Sequence, residues 1–196
     1  DLSFLYYPHT KMSLFVTSTY DEWKYVNDRY GYPEGYVQEL GLCRFDQLHD
    51  MKVKKNQILI MPTWRMYIRN EISASDHELE AQKFMETDYY RYWDALLKDE
   101  RLIRYIEEND LQIIFYPHRE MHRVLKYFHV DHPKITVASW PEYDVQTLLK
   151  ESAVLVTDFS SVAMDFAYMK KPLVYYQFDN EKFRQSHHQI GYFDFR

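Results

Sequence analysis

An apolar strand runs directly into the start of a helix in the stretch Val154-Leu155-Val156-Thr157-Asp158-Phe159-Ser160-Ser161-Val162-Ala163-Met164-Asp165. The first residues have the β-branched, apolar character of a buried strand, and the two serines stand where a helix begins. A strand that turns directly into a helix is the building unit of parallel α/β sheets. The stretch therefore predicts an α/β fold.

Similar units flank this stretch on both sides. Four more apolar runs of strand length lie at 57–62, 111–116, 135–138 and 173–176. Helical patterns are predicted at 89–109, 122–128, 145–151 and 161–169, with Asp144 as the cap of the third and a long polar connection over 63–88. Alternation of this kind predicts right-handed βαβ units and a Rossmann-like parallel sheet with helices on both faces.

The first 50 residues read as a separate piece. A strand is predicted at 14–18, followed by a helix that begins after Thr19 and ends near Gly31. A second short helix is predicted from Tyr36 to Leu40, ended by a glycine. The polar, lysine-rich residues 52–56 then predict a linker or domain boundary.

Composition limits the possible partners. The 196 residues contain 24 Lys and Arg against 30 Asp and Glu, a net charge of −6 that argues against broad attraction to nucleic acid or anionic lipid. The single Cys43 forms no internal disulfide, which fits a reducing cytoplasm. No apolar run approaches the roughly 20 residues of a membrane span, and no signal peptide is expected at the start.

Ligands of parallel sheets bind beyond the carboxyl ends of the strands, so the residues that follow each strand are the candidates. Ser160 and Ser161 add hydroxyl donors to the free N–H groups of a helix start, which predicts a phosphate site. Capping of the helix is an equally good interpretation of these serines.

Basic residues follow two other strands. Arg65 and Arg119 each offer a planar fork of donors suited to phosphate oxygens, and His118 can add a hydrogen bond or a charge. Each arginine taken alone could equally be a surface residue paired with a nearby acid. His118 and His122 with Glu120 between them do not form a zinc-protease pattern, and no dinucleotide-binding or P-loop motif occurs, so no metal or cofactor is expected.

Taken in order, these segments resemble the bacterial CDP-glycerol glycerophosphotransferase family, which builds the poly(glycerol phosphate) of teichoic acids and related capsular polymers. The resemblance runs through nearly the whole chain. The matching segments are 16–20, 40–48, 58–65, 116–119, 157–161 with 165–166, 171–179 and 191–195.

The resemblance implies a GT-B fold, in which two Rossmann-like domains face each other and the C-terminal one holds the donor. On this template, residues 1–50 are the tail of the acceptor domain plus linker, and residues 51–196 are the donor-binding domain, truncated at its C-terminus. The implied roles are a catalytic His118 and a donor pyrophosphate held by Arg65, Arg119, Asp158, Ser160 and Ser161, with Thr63 and Asp165 as supporting residues.

Two departures from the family pattern affect this interpretation. The family's further histidine, in a His-Gly motif of the acceptor domain, has no counterpart here, so the fragment alone is predicted to bind donor without turnover. The usual Pro-His-Pro reads Pro117-His118-Arg119, and Cys43 replaces a proline before Arg44, which leaves the donor open.

The predicted reaction is transfer of glycerol phosphate from CDP-glycerol to a teichoic acid or capsular polymer. The acceptor is expected to be lipid-linked, and the intact enzyme peripheral on the inner face of the bacterial cell membrane, contacting it through regions outside these residues. The alternatives are CDP-ribitol or a nucleotide sugar as donor, a nucleotide-sugar epimerase of the same architecture, and a noncatalytic nucleotide-binding module.

Overall fold

The computed structural model of the chain describes residues 3–49, 52–71 and 77–186. These residues fall into two compact units, 3–49 and 52–186. The assignment of the first unit to an acceptor domain and of the second to a donor domain remains a prediction.

The first unit is a small α/β unit with an aromatic core. Its elements are a 3-10 helix (Ser3–Leu5), α1 (Tyr7–Thr10), β1 (Phe15–Thr17), α2 (Tyr20–Arg29), β2 (Val37–Glu39) and a second 3-10 helix (Cys43–Gln47). The strands β1 and β2 pair in parallel. As predicted, Thr19 caps α2, because its hydroxyl accepts a hydrogen bond from the Glu22 N–H.

The predicted short helix Tyr36–Leu40 is wrong, because residues 37–39 form β2. Gly35 and Gly41 have positive φ angles and bound this segment on both sides. The few residues between them cannot repay the cost of helix nucleation. Pairing with β1 satisfies their backbone instead, and the Trp23 indole donates to the Val37 carbonyl.

The second unit contains a five-stranded, fully parallel sheet. Its strands are β3 (Lys54–Ile60), β4 (Gln112–Phe115), β5 (Ile135–Val137), β6 (Ser152–Thr157) and β7 (Leu173–Tyr175), in the order β5-β4-β3-β6-β7. All five predicted strands are confirmed. Leu59, Phe115 and Leu155 have no exposed surface, as expected for the apolar strands of a sheet that is covered on both faces.

Helices flank this sheet. They are α3 (Met66–Glu71), α4 (His77–Met85), α5 (Asp88–Leu97), α6 (Glu100–Glu108), α7 (Val145–Glu151), α8 (Val162–Tyr168) and α9 (Asn180–Ser186), with a 3-10 helix at Arg119–Tyr127. The prediction for α7 is confirmed to the residue, with the Asp144 carboxylate accepting from the Thr147 N–H. The predicted single helix 89–109 is wrong, since α5 and α6 are separate and Asp99 caps the second.

The polar connection predicted over 63–88 is also wrong in its described part, where α3 and α4 lie. The sequence of α3 offers too few apolar positions to show a helical period, although Tyr67 and Ile68 are buried. These two side chains pack into the aromatic core of the unit, together with Phe84 and Trp93. Tertiary burial rather than periodicity therefore stabilises the helix.

Strand order locates the binding edge. Numbered within this unit, the strands run 3-2-1-4-5, which is the order of Rossmann-type sheets. All five strands point the same way, but the order in which successive strands are added to the sheet reverses between β3 and β6. Ligands of such sheets bind in the crevice beyond the carboxyl ends of the strands at that point. The loops after β3 and β6, and the loop after the adjacent β4, are therefore the candidate site.

Candidate functional site

The predicted site residues lie on three neighbouring strand ends. Residues 63–65 follow β3, residues 118–119 follow β4, and residues 158–161 follow β6, while Asp165 lies one turn into α8. Because β3 stands between the other two strands and strands are spaced about 4.8 Å apart, the outer loops start about 10 Å apart. The fold thus brings all three polar loops to one edge.

Arg65 does not reach the surface, and the prediction that it contacts pyrophosphate is corrected. Its side chain has no exposed surface. Nε donates to Asp179 at 2.7 Å, Nη2 donates to Asp158 at 2.7 Å and to Asp179 at 2.8 Å, and Nη1 donates to the Thr63 carbonyl at 2.7 Å. Its donors are engaged inside the protein, so Arg65 holds the loops together instead of holding a ligand.

Asp158 is corrected in the same way. It is fully buried, and its Oδ1 accepts from the backbone N–H groups of Thr63 and Phe159 at 2.9 and 2.7 Å. The Gln177 side chain donates to its carbonyl oxygen at 2.9 Å. Asp158 therefore ties the loop after β6 to the loops after β3 and β7.

Asp179 completes this buried cluster and was missed by the sequence analysis as a site residue. It follows β7 at the same sheet edge, and that position was the signal that could have identified it. The Tyr67 hydroxyl donates to Asp179 at 2.9 Å. Burial raises the pKa of Tyr67, and the Asp179 charge raises it further. Burial alone would lower the pKa of Arg65, but Asp158 and Asp179 outweigh it and the pKa is raised.

Aromatic rings enclose the Arg65 guanidinium. Four ring centroids lie 5.0–5.9 Å from Cζ and belong to Tyr89, Phe159, Phe178 and Phe183. These rings exclude water while their faces favour a cation. The cluster of one arginine and two carboxylates is thus a buried, hydrogen-bonded floor that joins the loops after β3, β6 and β7.

Thr63 lies between this floor and the surface. Its N–H donates to Asp158 and its carbonyl accepts from Arg65, so its backbone is held on both sides. Its hydroxyl oxygen is buried and has no hydrogen-bond partner among the residues that the structure describes. A supporting role for Thr63 remains a prediction.

The two serines are not engaged as a tight helix cap. The Ser161 side chain makes no capping hydrogen bond, and Ser160 Oγ accepts only a long one, 3.4 Å, from the Val162 N–H. Ser161 is exposed and Ser160 half-buried. Both serines lie in the loop that follows β6, at the carboxyl edge of the sheet, and this position is compatible with the predicted contact to an anionic ligand. Asp165 is buried, as suits a supporting residue.

His118 is exposed at the end of β4, and its ring has a defined tautomer. Nδ1 accepts a hydrogen bond from the Glu120 N–H at 3.2 Å, so the neutral ring carries its hydrogen on Nε2. Partial burial lowers the pKa of His118 below the ordinary value of 6.5, although Glu120 opposes this. The neutral ring is therefore the main form at pH 7 and presents an N–H donor at Nε2.

Arg119 adjoins His118 and behaves unlike Arg65. It is exposed, and its Cζ lies 5.0 Å from the ring centroid of Trp140, which follows β5. It forms no ion pair with any residue of the described ranges. The alternative interpretation of Arg119 as the partner of a nearby acid is thus not supported. The sequence analysis did not single out Trp140, although it lies just beyond a strand end.

A cavity is lined by residues other than those predicted for the site. It has a volume of about 330 Å³ and is lined by Lys83, Glu86, Thr87, Asp88 and Lys182. None of these residues follows a strand directly, and the switch point of a doubly wound sheet is the expected binding position. We therefore place the candidate site at the carboxyl edge and not in this cavity.

Residues 3–49, 52–71 and 77–186 contain no group of three His, Cys, Asp or Glu side chains arranged to hold a metal ion. The helices in the same ranges are all too short or too polar to cross a membrane.

The chain was compared with known proteins. The family described as CDP-glycerol:poly(glycerophosphate) glycerophosphotransferase matches residues 10–196. The minor teichoic acid biosynthesis protein GgaB of Bacillus subtilis (strain 168) is 34% identical over 189 residues, which are 94% of this chain and 20% of that protein. The teichoic acid ribitol-phosphate polymerase TarL of Staphylococcus aureus (strain NCTC 8325 / PS 47) is 28% identical over 152 residues, 78% of this chain and 24% of that protein.

The chain thus spans about a fifth to a quarter of the length of these curated relatives. Among solved structures, the wall teichoic acid polymerase TagF is similar with a TM-score of 0.59 and 17% identity, covering 87% of this chain and 41% of TagF. A variant of TagF has a TM-score of 0.55 and 19% identity, covering 87% and 40%. At this identity the likeness concerns the fold, and it confirms the predicted α/β sheet of GT-B type.

Proposed function

The chain belongs to the CDP-glycerol:poly(glycerophosphate) glycerophosphotransferase family, and from this premise we propose that it supplies the donor site of an enzyme that transfers glycerol phosphate from CDP-glycerol to a teichoic acid or capsular polymer. Residues 51–196 are the donor-binding domain in this proposal, and residues 1–50 are the end of an acceptor domain plus linker. The family as a whole acts in teichoic acid biosynthesis.

The observation that carries the proposal is the convergence of three polar loops at the switch point of the sheet. The Arg65–Asp158–Asp179 cluster joins the loops after β3 and β6, and the His118 N–H donates to the Pro62 carbonyl at 3.1 Å, which joins the loop after β4 to the loop after β3. Ser160, Ser161, His118 and Arg119 remain at or near the surface. Preorganised donors above a rigid floor suit a diphosphate, because they stabilise its charge without reorganisation during the reaction.

In the proposed reaction, a hydroxyl of the acceptor attacks the β-phosphorus of CDP-glycerol. The bond between that phosphorus and the bridging oxygen breaks, CMP leaves with the electron pair, and a new phosphodiester forms. The serine hydroxyls donate to non-bridging oxygens, and Nε2–H of His118 donates to the departing phosphate. The acceptor's proton passes to a base that this chain does not supply in the proposal.

A second donor is supported by a specific observation. Two relatives, TarL and TarK, are ribitol-phosphate polymerases by name, at 28% and 26% identity. CDP-ribitol differs from CDP-glycerol only in the polyol, so the loops described above would hold the shared cytidine diphosphate equally well. A comparison of the two donors in one binding experiment separates these possibilities.

The remaining parts of the proposal concern the intact enzyme. Its acceptor is a lipid-linked polymer, and the enzyme is peripheral on the inner face of the cell membrane. Membrane contact arises outside these 196 residues, whose net charge of −6 does not favour an anionic surface. No nucleic acid partner is proposed.

Calorimetric titration of the 196-residue chain with CDP-glycerol, CMP, CDP-ribitol and a UDP-sugar tests the donor site. We expect the cytidine ligands to bind in preference, and Ser160→Ala/Ser161→Ala to weaken binding at least about ten-fold, because two hydrogen bonds to charged oxygens are lost. His118→Ala should weaken it less. Ser13→Ala, an exposed serine of the first unit, is the matched control and should change nothing.

Two results would contradict the proposal. Preference for the UDP-sugar would keep the fold and reject the donor. Absence of binding by any nucleotide would reject the idea that this chain forms a donor site by itself.

A further inference from the structure

Trp140 is a large aromatic side chain exposed beside the candidate site. It stands three residues after the end of β5, at the same carboxyl edge as the polar loops, and 58% of its surface is exposed. The other tryptophans of the second unit, Trp64 and Trp93, are half-buried and fully buried. An indole left open at the binding edge of a sheet is a surface on which a flat ligand can pack.

Arg119 covers part of this indole. Its Cζ lies 5.0 Å from the ring centroid, which is a cation–π distance, and no described residue competes for it through an ion pair. The guanidinium therefore restricts the motion of the indole ring from one side, while the exposed part of the ring stays accessible to a ligand. A ring held in this way loses little conformational freedom when a ligand stacks on it.

The position of Trp140 fits the length of a nucleotide. β5 is two strands away from β3 and three away from β6, about 10 and 14 Å at the usual strand spacing. The loop of β4 with His118 and Arg119 lies between. An extended nucleoside diphosphate is comparable in length, so its phosphates can lie at the serines of β6 while its base reaches the end of β5.

We infer that Trp140, held by Arg119, is the platform on which the nucleobase of the donor stacks, an inference that rests on the proposed donor site. Stacking uses the π-face that every base has, so it contributes affinity without selecting the base. Discrimination of cytosine from uracil must then come from hydrogen bonds elsewhere. Loss of Trp140 should therefore lower the affinity for cytidine and uridine nucleotides by the same factor.

Titration of the 196-residue chain with CMP, UMP, inorganic pyrophosphate and glycerol 3-phosphate tests this. We expect Trp140→Ala to weaken CMP and UMP by the same factor, on the order of ten-fold, and to leave pyrophosphate unchanged. Trp140→Phe, which keeps an aromatic face, should lose no more than about three-fold. Arg119→Lys keeps the charge without the planar fork, and because Arg119 also belongs to the proposed diphosphate donors it should weaken pyrophosphate as well as the nucleotides, unlike Trp140→Ala.

A spectroscopic readout accompanies the titration. CMP should quench tryptophan emission in the unaltered chain, and this quenching should disappear in Trp140→Phe. Tyr105→Ala is the matched control, because Tyr105 is an aromatic residue of α6 with a similar exposed fraction of 56%. The Tyr105→Ala chain should bind every ligand with unchanged affinity.

Each other outcome is decisive. If the unaltered chain binds CMP and Trp140→Ala binds it with the same affinity, the platform is refuted while the proposed donor site is retained. Equal loss of CMP and pyrophosphate shows that Trp140 only shapes the phosphate loops, and loss of glycerol 3-phosphate alone moves it to the polyol end of the donor. Failure of the unaltered chain to bind either nucleotide rejects the proposed function and the platform together.

Discussion

Arg65 and Arg119 follow adjacent strands, and both were predicted to contact pyrophosphate. In the structure, two carboxylates from the loops after β6 and β7 bind Arg65 in a dry interior, whereas Arg119 is exposed without an ion pair to a described residue. The same residue type in the same kind of position thus has two different roles. The decisive partners, Asp158 and Asp179, are more than 90 residues away from Arg65 in the chain.

We expect Arg65→Met to lower the free energy of unfolding by about 3–5 kcal/mol, because two buried carboxylates lose their counter-ion. Urea unfolding followed by circular dichroism measures this. The triple variant Arg65→Met/Asp158→Asn/Asp179→Asn removes the uncompensated charge and should recover part of the loss. A loss under about 1 kcal/mol in the single variant, typical of exposed ion pairs, would refute the structural role of Arg65.

The break between α5 and α6 shows how one side chain defines an element. Apolar residues continue with helical spacing across it, which is why periodicity predicts a single helix. The Asp99 carboxylate instead accepts from the N–H groups of Arg101 and Leu102 at 2.9 and 3.2 Å and starts a new helix. Hydrogen bonds from the Arg101 side chain and from the Leu102 N–H lower the pKa of Asp99 to about 2.

This pKa predicts a dependence of stability on pH. Because the folded-state pKa lies below the ordinary value of 3.8, ionised Asp99 stabilises the fold above about pH 4, and the contribution is lost as the pH falls toward 2. We expect Asp99→Asn, which still caps α6, to be less stable than the unaltered chain at neutral pH and to approach it in acid. Asp99→Ala should be the least stable at neutral pH, since it loses the cap as well.

Urea unfolding at several pH values measures both variants. A constant difference between Asp99→Asn and the unaltered chain from about pH 6 to about pH 2 would show that the carboxylate charge contributes nothing. Asp131→Asn is a suitable control, because Asp131 is exposed and caps no helix.

Strand order is the property of the whole second unit that produces the site. The order β5-β4-β3-β6-β7 places the loops after β4, β3 and β6 side by side, although they are separated by about 40 to 95 residues in the chain. The opposite edge of the sheet carries other chemistry. There the Lys171 ammonium donates to three carbonyl oxygens at the end of α7, those of Leu149, Lys150 and Ser152.

Hydrogen–deuterium exchange of the whole chain with CDP-glycerol tests this assignment of the edges. We expect the ligand to slow exchange at 63–65, 118–119 and 158–161, because the ligand covers these loops and restrains their motion. Residues 170–172, at the amino edge of the sheet, serve as an internal control and should be unaffected. Slower exchange at the amino edge, or around the cavity lined by Lys83, would show that the ligand binds away from the switch point.

Local sequence signals were sufficient for much of this protein. The five strands of the sheet, the bounds of α7 and the caps Thr19 and Asp144 were predicted from the residues, because a strand or cap depends on neighbours within a few positions. The concentration of polar residues after the strands also followed, since the carboxyl ends of parallel strands share one edge. The order of the motifs along the chain indicated the family, and this prediction is confirmed.

Only tertiary structure decided which polar residues are buried and which remain exposed. Arg65 became part of the interior because Asp158 and Asp179 approach it from other loops, and residues 37–39 became a strand because β1 lies beside them. Arg119 meets Trp140 through the pairing of β4 with β5. The physical reason is common to all three: each contact depends on strand pairing between distant segments, and no local propensity encodes such pairing.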